Sequence, residues 1–202
     1  MSARPRIAID IDDVVADTHT ASKFWIEAQA GVPADFHGYT THTDYWDYYN
    51  RVIMMHGNSS VRFEDFLAEL ARDQAHVPLL AGAQFAIQQL MQDYDVVLIT
   101  ARDPSLKAAT RAWLDSHFDS PIPLHLSSNP LVESTHRTKG EICRDLGVSA
   151  LIDDNTANCK SALDHGVKAI LFGDYIWQVD PPANAARARD WPAVLEVMHE
   201  LI

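Results

Sequence analysis

Short apolar runs alternate with amphipathic stretches along most of the chain. Ile7-Ala8-Ile9-Asp10-Ile11, Val96-Val97-Leu98-Ile99, Ala150-Leu151-Ile152 and Ala169-Ile170-Leu171-Phe172 are rich in β-branched residues and read as buried parallel strands. Between them the period becomes helical. Ala83, Ile87, Leu90 and Met91 fall on one face, as do Leu106, Ala109, Trp113 and Leu114. The second of these helices opens with Asp103 as N-cap and Pro104 at the first helical position. Thr138-x-x-Glu141 is a capping box for a helix running towards Gly147, and a further helix lies between Asn155 and Gly166. Val194, Leu195, Met198 and Leu201 form the apolar stripe of a terminal helix. Strands alternating with helices predict an α/β fold, a Rossmann-like doubly wound sheet that is mainly parallel.

One interval breaks the rhythm. From Asp12 to Val96 is far more chain than one crossover needs, because the helix over about 82–92 makes that connection alone. Residues 17–80 are therefore read as an insert, leaving 1–16 and 81–202 as the body. The insert is helical at both ends, over 18–30 and again where Phe63, Phe66, Leu67 and Leu70 recur at helical spacing. Its middle, Phe36 to Tyr49, is crowded with aromatics. It leaves just after the carboxyl end of the first strand, where open α/β sheets place their ligands, so it is expected to form a small helical cap over the site.

Charge narrows the partners. Lys and Arg number 16 against 28 Asp and Glu, a formal net charge of -12. That field repels nucleic-acid polymers, while a small phosphate ester carrying its own Mg2+ remains compatible. No apolar run is long enough to cross a bilayer, and the first residues run directly into a strand, so a cytoplasmic location is expected. Cys143 and Cys159 form no CxxC pair and fall in helical patterns, which predicts buried, inert thiols. The ten histidines contain no HExxH; His37 and His42 flank a loop, His136 lies near Lys139, and zinc is not supported.

The candidate chemistry sits at the strand ends. Asp10 and Asp12 close the first apolar strand, Thr100 the second, and Asp153 and Asp154 the third. Four carboxylates brought together would repel one another unless a cation bound among them, and oxygen ligands at this charge density suit Mg2+. Lys139, in the first turn of the capped helix, offers a compact positive charge to a phosphoryl group, and Thr100 offers its hydroxyl.

The order Asp10-x-Asp12, then Thr100, then Lys139, then Asp153-Asp154 resembles the four ordered motifs of the haloacid dehalogenase (HAD) superfamily. That resemblance implies a phosphatase in which Asp10 attacks phosphorus and Asp12 protonates the leaving oxygen and later activates water. It implies that Thr100, Ala101 and Lys139 hold the phosphoryl oxygens. It further implies Mg2+ held by the Asp10 carboxylate, the Asp12 main-chain carbonyl and Asp153, with Asp154 in support. Ile9 to Asp17, Ile99-Thr100-Ala101-Arg102, Thr110 to Leu114 and Leu151 to Asn155 look most like the deoxyribonucleotidases and their bacterial nucleotidase relatives, which implies a nucleoside monophosphate as substrate. Against the superfamily pattern two departures stand out, Asp13 where many members have Gly and Ala101-Arg102 after Thr100, while the stretch Phe172-Gly173-Asp174-Tyr175 departs from the loop expected in the nucleotidases.

Selectivity has its own candidates. Arg102 either reaches an anionic substrate or is an exposed charge before the Asp103 cap. Tyr45, Trp46 and Tyr49 either stack on a nucleobase or fill the core of the cap. A sugar phosphate or another small phosphomonoester is the alternative substrate. Receiver domains of response regulators also combine acidic residues, Thr and Lys, but phosphorylate an Asp on a later strand and carry no insert; a silent binding module would not need five reactive groups. Oligomeric state is not legible.

Overall fold

The computed structural model of the protein describes residues 4–40, 45–127 and 137–202, with the side chains of 40 and 45–47 outside the description. Strands β1 (Arg6–Ile9), β2 (Asp95–Thr100), β3 (Leu124–Leu126), β4 (Val148–Asp153), β5 (Lys168–Phe172) and β6 (Ala186–Ala188) form one sheet. The helices are α1 (Thr18–Ala30), α2 (Tyr45–His56), α3 (Phe63–Leu70), α4 (Ala83–Asp93), α5 (Lys107–His117), α6 (Lys139–Asp145), α7 (Thr156–Asp164) and α8 (Trp191–Leu201). The sheet runs β3-β2-β1-β4-β5-β6, and every pairing is parallel. Strand order reverses between β1 and β4, and the crevice at such a switch point is where this architecture receives ligands.

Alternate side chains of each strand feed two cores. Ile7, Ile9, Leu98, Ile152 and Ile170 pack with α4, α5 and α8 on one face. Ala8, Val97, Ile99, Leu151 and Leu171 pack with α6 and α7 on the other, where both cysteines are buried and free. The sheet is therefore covered on both sides, as its unbroken apolar runs require. Gly140 brings α6 hard against α7: a Cβ there would lie 2.2 Å from the Ser161 carbonyl oxygen.

The ends of the insert meet. The Leu80 amide donates to the Val15 carbonyl at 2.8 Å and the Asp17 amide to the Pro78 carbonyl at 2.9 Å, so the chain leaves and re-enters the body side by side. Inside lie α1, a 3-10 turn (His37–Thr40), α2 and α3. Trp25, Tyr49, Phe63 and Phe66 join the sheet's own apolar side chains in one continuous cluster. Among the described residues, no helix is long and apolar enough to cross a membrane.

Some elements differ from the sequence reading. The first strand ends at Ile9, two residues short of Ile11. Asp103 and Pro104 open a 3-10 turn, Pro104–Leu106, that leads into α5. The short edge strands β3 and β6 were not anticipated, because three residues of mixed polarity carry no period.

Candidate active site

The acidic residues gather at the carboxyl ends of β1 and β4. Asp10 follows β1 directly, held by its amide donating to the Ile152 carbonyl of β4 at 2.9 Å. Asp153 is the last residue of β4, and Asp154 follows it. One carboxylate oxygen from each of Asp10, Asp153 and Asp154 lies within 4.8 Å of the others, and all three residues are buried.

Lys139 stands between two of them. Its buried Nζ is 2.7 Å from Asp10 Oδ2 and 2.7 Å from Asp153 Oδ2. The capping box anticipated at Thr138 and Glu141 is formed, so the helix that presents Lys139 starts where its own sequence dictates. The other oxygen of Asp153 accepts from the Asn155 amide at 2.9 Å and from Asn158 Nδ2 at 3.0 Å.

Electrostatics follow from burial and neighbours. Burial pushes the Asp10 carboxyl up to about 7, against the pull of Lys139 and with a further push from Asp153 and Asp12. Burial, then Asp153, Asp10 and Asp13, hold Asp154 well above the carboxylate range. For Lys139 burial opposes the charge, but Asp10 and Asp153 outweigh it and keep the ammonium strongly protonated. These groups fit a divalent cation: once ionised, three converging carboxylates carry more negative charge than one ammonium offsets, and hard oxygen ligands suit Mg2+.

Asp12 turns away from that group. Its carboxylate accepts from Arg102 Nη2 at 2.7 Å and Nε at 2.9 Å, and from the Thr18 hydroxyl at 2.6 Å. Burial would raise its pKa, but Arg102 and Thr18 together hold it below the ordinary value. Its side chain is thus not one of the three that converge, and only its main chain is left for the metal-binding role the resemblance implies. Arg102 is buried, not an exposed charge: Nη1 donates to Gln74 Oε1 at 2.7 Å and to the Thr110 hydroxyl at 3.0 Å.

Asp13 makes the turn expected of glycine. Its φ is +57°, a left-handed conformation that Asp tolerates better than most side chains, and its Oδ1 accepts from the His19 amide at 2.8 Å. Thr100 is buried at the end of β2, its hydroxyl accepting from the Arg102 amide at 3.1 Å, with Ala101 beside it.

Tyr49 lies in the core of the insert. It is 0 % exposed, stacked on Phe63 with ring centroids 4.6 Å apart, and its hydroxyl meets His19 Nδ1. Of the two roles open to it, the structure places it among the packing side chains, because a small helical insert fills its interior with rings. Tyr45 and Trp46 belong to α2, but their side chains, like His42 and His136, lie outside the described residues. His37 is exposed in the 3-10 turn.

Sequence reasoning missed the β5–β6 loop. Trp177 Nε1 donates to Asp154 Oδ2 at 2.7 Å, Gln178 Nε2 to the Asp154 carbonyl at 2.9 Å, and the Tyr175 hydroxyl to the Asp13 carbonyl at 2.8 Å. The departure at Phe172 to Tyr175 marked this loop without showing where it would go.

No protein-family model and no curated protein matches the chain. Solved structures do. A conserved haloacid dehalogenase-like protein of unknown function from Agrobacterium tumefaciens is 16% identical, with a TM-score of 0.57 over 98% of this chain and 100% of that one. A HAD-superfamily hydrolase of subfamily IA from Geobacter sulfurreducens is 16% identical, with a TM-score of 0.54 over 96% of both chains. CbbY from Rhodobacter sphaeroides, solved with phosphate, is 17% identical, with a TM-score of 0.52 over 94% of this chain and 95% of that one. The chain shares the fold of these structures.

Proposed function

We propose that this protein is a Mg2+-dependent phosphatase of the HAD type, hydrolysing a small phosphomonoester through a phosphorylated Asp10. The observation that carries the reading is Lys139 bridging Asp10 and Asp153 at the switch point, with Asp154 converging on the same place. One buried cation beside three buried acids leaves a surplus of negative charge whenever all three are ionised, and a site receiving a phosphate dianion must offset it. Bound Mg2+, held by Asp10, Asp153 and Asp154, would supply positive charge that keeps Asp10 ionised and offsets the charge of the substrate.

The remaining steps belong to the chain's own residues. Asp10 forms a bond to phosphorus as the bond to the leaving oxygen breaks, and Asp12 gives that oxygen its proton. Asp12 then takes a proton from water, the water oxygen bonds to phosphorus, and the Asp10–phosphorus link breaks to release phosphate. Lys139 and the Thr100 hydroxyl, with the main chain at Ala101, hold the phosphoryl oxygens. The Arg102 pair sets one condition. It favours the ionised Asp12 that accepts from water, so it must loosen before a protonated Asp12 can serve the leaving oxygen. The body at 1–16 and 81–202 supplies every one of these groups, and the cap at 17–80 closes over them.

The substrate we assign to the nucleoside monophosphates, so that a nucleoside is the leaving group, on the resemblance of Ile9 to Asp17 and Leu151 to Asn155 to the nucleotidases. Burial of Tyr49 favours a second reading, a sugar phosphate, because that ring has no exposed face to offer a base. A panel of nucleoside monophosphates and sugar phosphates, assayed with Mg2+ at neutral pH, tests both. Hydrolysis of neither class, under conditions where Mg2+ binds, refutes the phosphatase reading.

A further inference from the structure

We propose that Trp177 is a positioning residue of the cation site: its indole N–H fixes the Asp154 carboxylate so that one oxygen is presented to the ion. The inference rests on the Mg2+ reading above and adds to it a residue outside the four motifs.

Asp154 differs from the other two acids of the group. Asp10 and Asp153 share the Lys139 ammonium, whereas among the described residues no cation pairs with Asp154. Its orientation comes instead from a neutral donor, Trp177 Nε1 at 2.7 Å from Oδ2. An indole N–H donates one bond and accepts none, so it engages one oxygen and leaves the other for a ligand. It also brings no charge. A Lys or Arg in its place would grip the carboxylate more firmly and repel an incoming cation.

The ring is held on several sides. Tyr175 stacks on it with centroids 4.4 Å apart and planes 6° apart, and His19 of α1 meets it edge-on at 5.4 Å. The Tyr175 hydroxyl donates to the Asp13 carbonyl, and Gln178 Nε2 donates to the carbonyls of Asp154 and Phe172 at 2.9 and 2.7 Å. The loop is thereby tied to both strand ends that build the site. Residues that orient a metal's ligands in this way commonly change affinity by about 10 to 100-fold when removed.

The test is Trp177→Phe, which keeps an aromatic ring against Tyr175 and removes the N–H together with the five-membered ring that carries it. Isothermal titration of metal-free protein with Mg2+ should show a Kd raised by about 10 to 100-fold, while the melting temperature in EDTA stays near that of the parent. A purely structural tryptophan predicts the opposite pair of results, and an unchanged Kd in a folded variant overturns the inference. If the variant does not fold, the parent decides: the 15N–1H resonance of the Trp177 indole should shift on Mg2+ addition and saturate at the calorimetric Kd. An indole resonance indifferent to bound Mg2+ overturns it equally. A parent that binds no Mg2+ at all removes the metal reading, and this inference with it.

Discussion

Replacing Asp10 by Asn should end turnover and, in metal-free protein near pH 8, make the fold more stable. Burial moves this carboxyl from 3.8 to about 7. Over that interval the folded chain keeps a proton that the unfolded chain has lost. The stability linked to Asp10 is therefore fully present below about pH 4, declines as the pH rises, and is gone above about pH 7. At about 1.4 kcal/mol per pH unit the whole interval amounts to about 4 kcal/mol. Asp154, raised by burial and then by Asp153, Asp10 and Asp13, competes for protons in this range, so about 2 to 4 kcal/mol is expected from Asp10 alone. Asn preserves the shape of the side chain and leaves Lys139 its 2.7 Å bond to Asp153, so no buried charge is stranded. For a chain of this size about 2 to 4 °C accompanies each kcal/mol, which gives a rise of about 4 to 16 °C. Thermal melts of both proteins in EDTA, from pH 4 to 8, measure it. The gap should be widest at pH 8 and should narrow towards pH 4. A variant that melts at or below the parent at pH 8, or a gap indifferent to pH, refutes the claim that the acid is held at the site against its own desolvation.

Other outcomes follow from the same geometry. EDTA should abolish hydrolysis and Mg2+ restore it, and Mg2+ at about 100 times its Kd should stabilise the parent by about 2.7 kcal/mol, visible as a rise of about 5 to 11 °C in melting temperature; undiminished turnover after thorough chelation counts against the metal. Asp12→Asn should lower kcat by about 10^2 to 10^4-fold, the usual worth of a positioned proton donor, while phosphate label still traps on Asp10; label on another aspartate would show the roles to be misassigned. Tyr49→Ala should cost about 3 to 5 kcal/mol in chemical denaturation, as for other large rings removed from a core, and Tyr49→Phe far less; a well-folded Tyr49→Ala protein with altered substrate ranking would return that ring to the binding surface.

Much of this architecture follows from local chemistry that a sequence displays. Runs such as Val96 to Ile99 have no polar face to expose, so they must become strands covered on both sides. Thr138 with Glu141, and Asn155 before Thr156, satisfy helix ends from a few residues away and so announce where α6 and α7 begin. The order of Asp10, Asp12, Thr100, Lys139, Asp153 and Asp154 is legible because each follows or faces an apolar run, and strand ends in a parallel sheet share one edge. Other features depend on partners distant in the chain, which no local period encodes. Arg102 is separated from Asp12 by 90 positions and from Gln74 by 28, and only their burial together turns an apparent surface charge into the partner of Asp12. Tyr49 packs on Phe63 instead of facing the site because the insert closes on its own rings. Trp177 reaches Asp154 across 23 residues, from a loop without regular structure, where packing against Tyr175 and His19 helps to determine which way an indole N–H points.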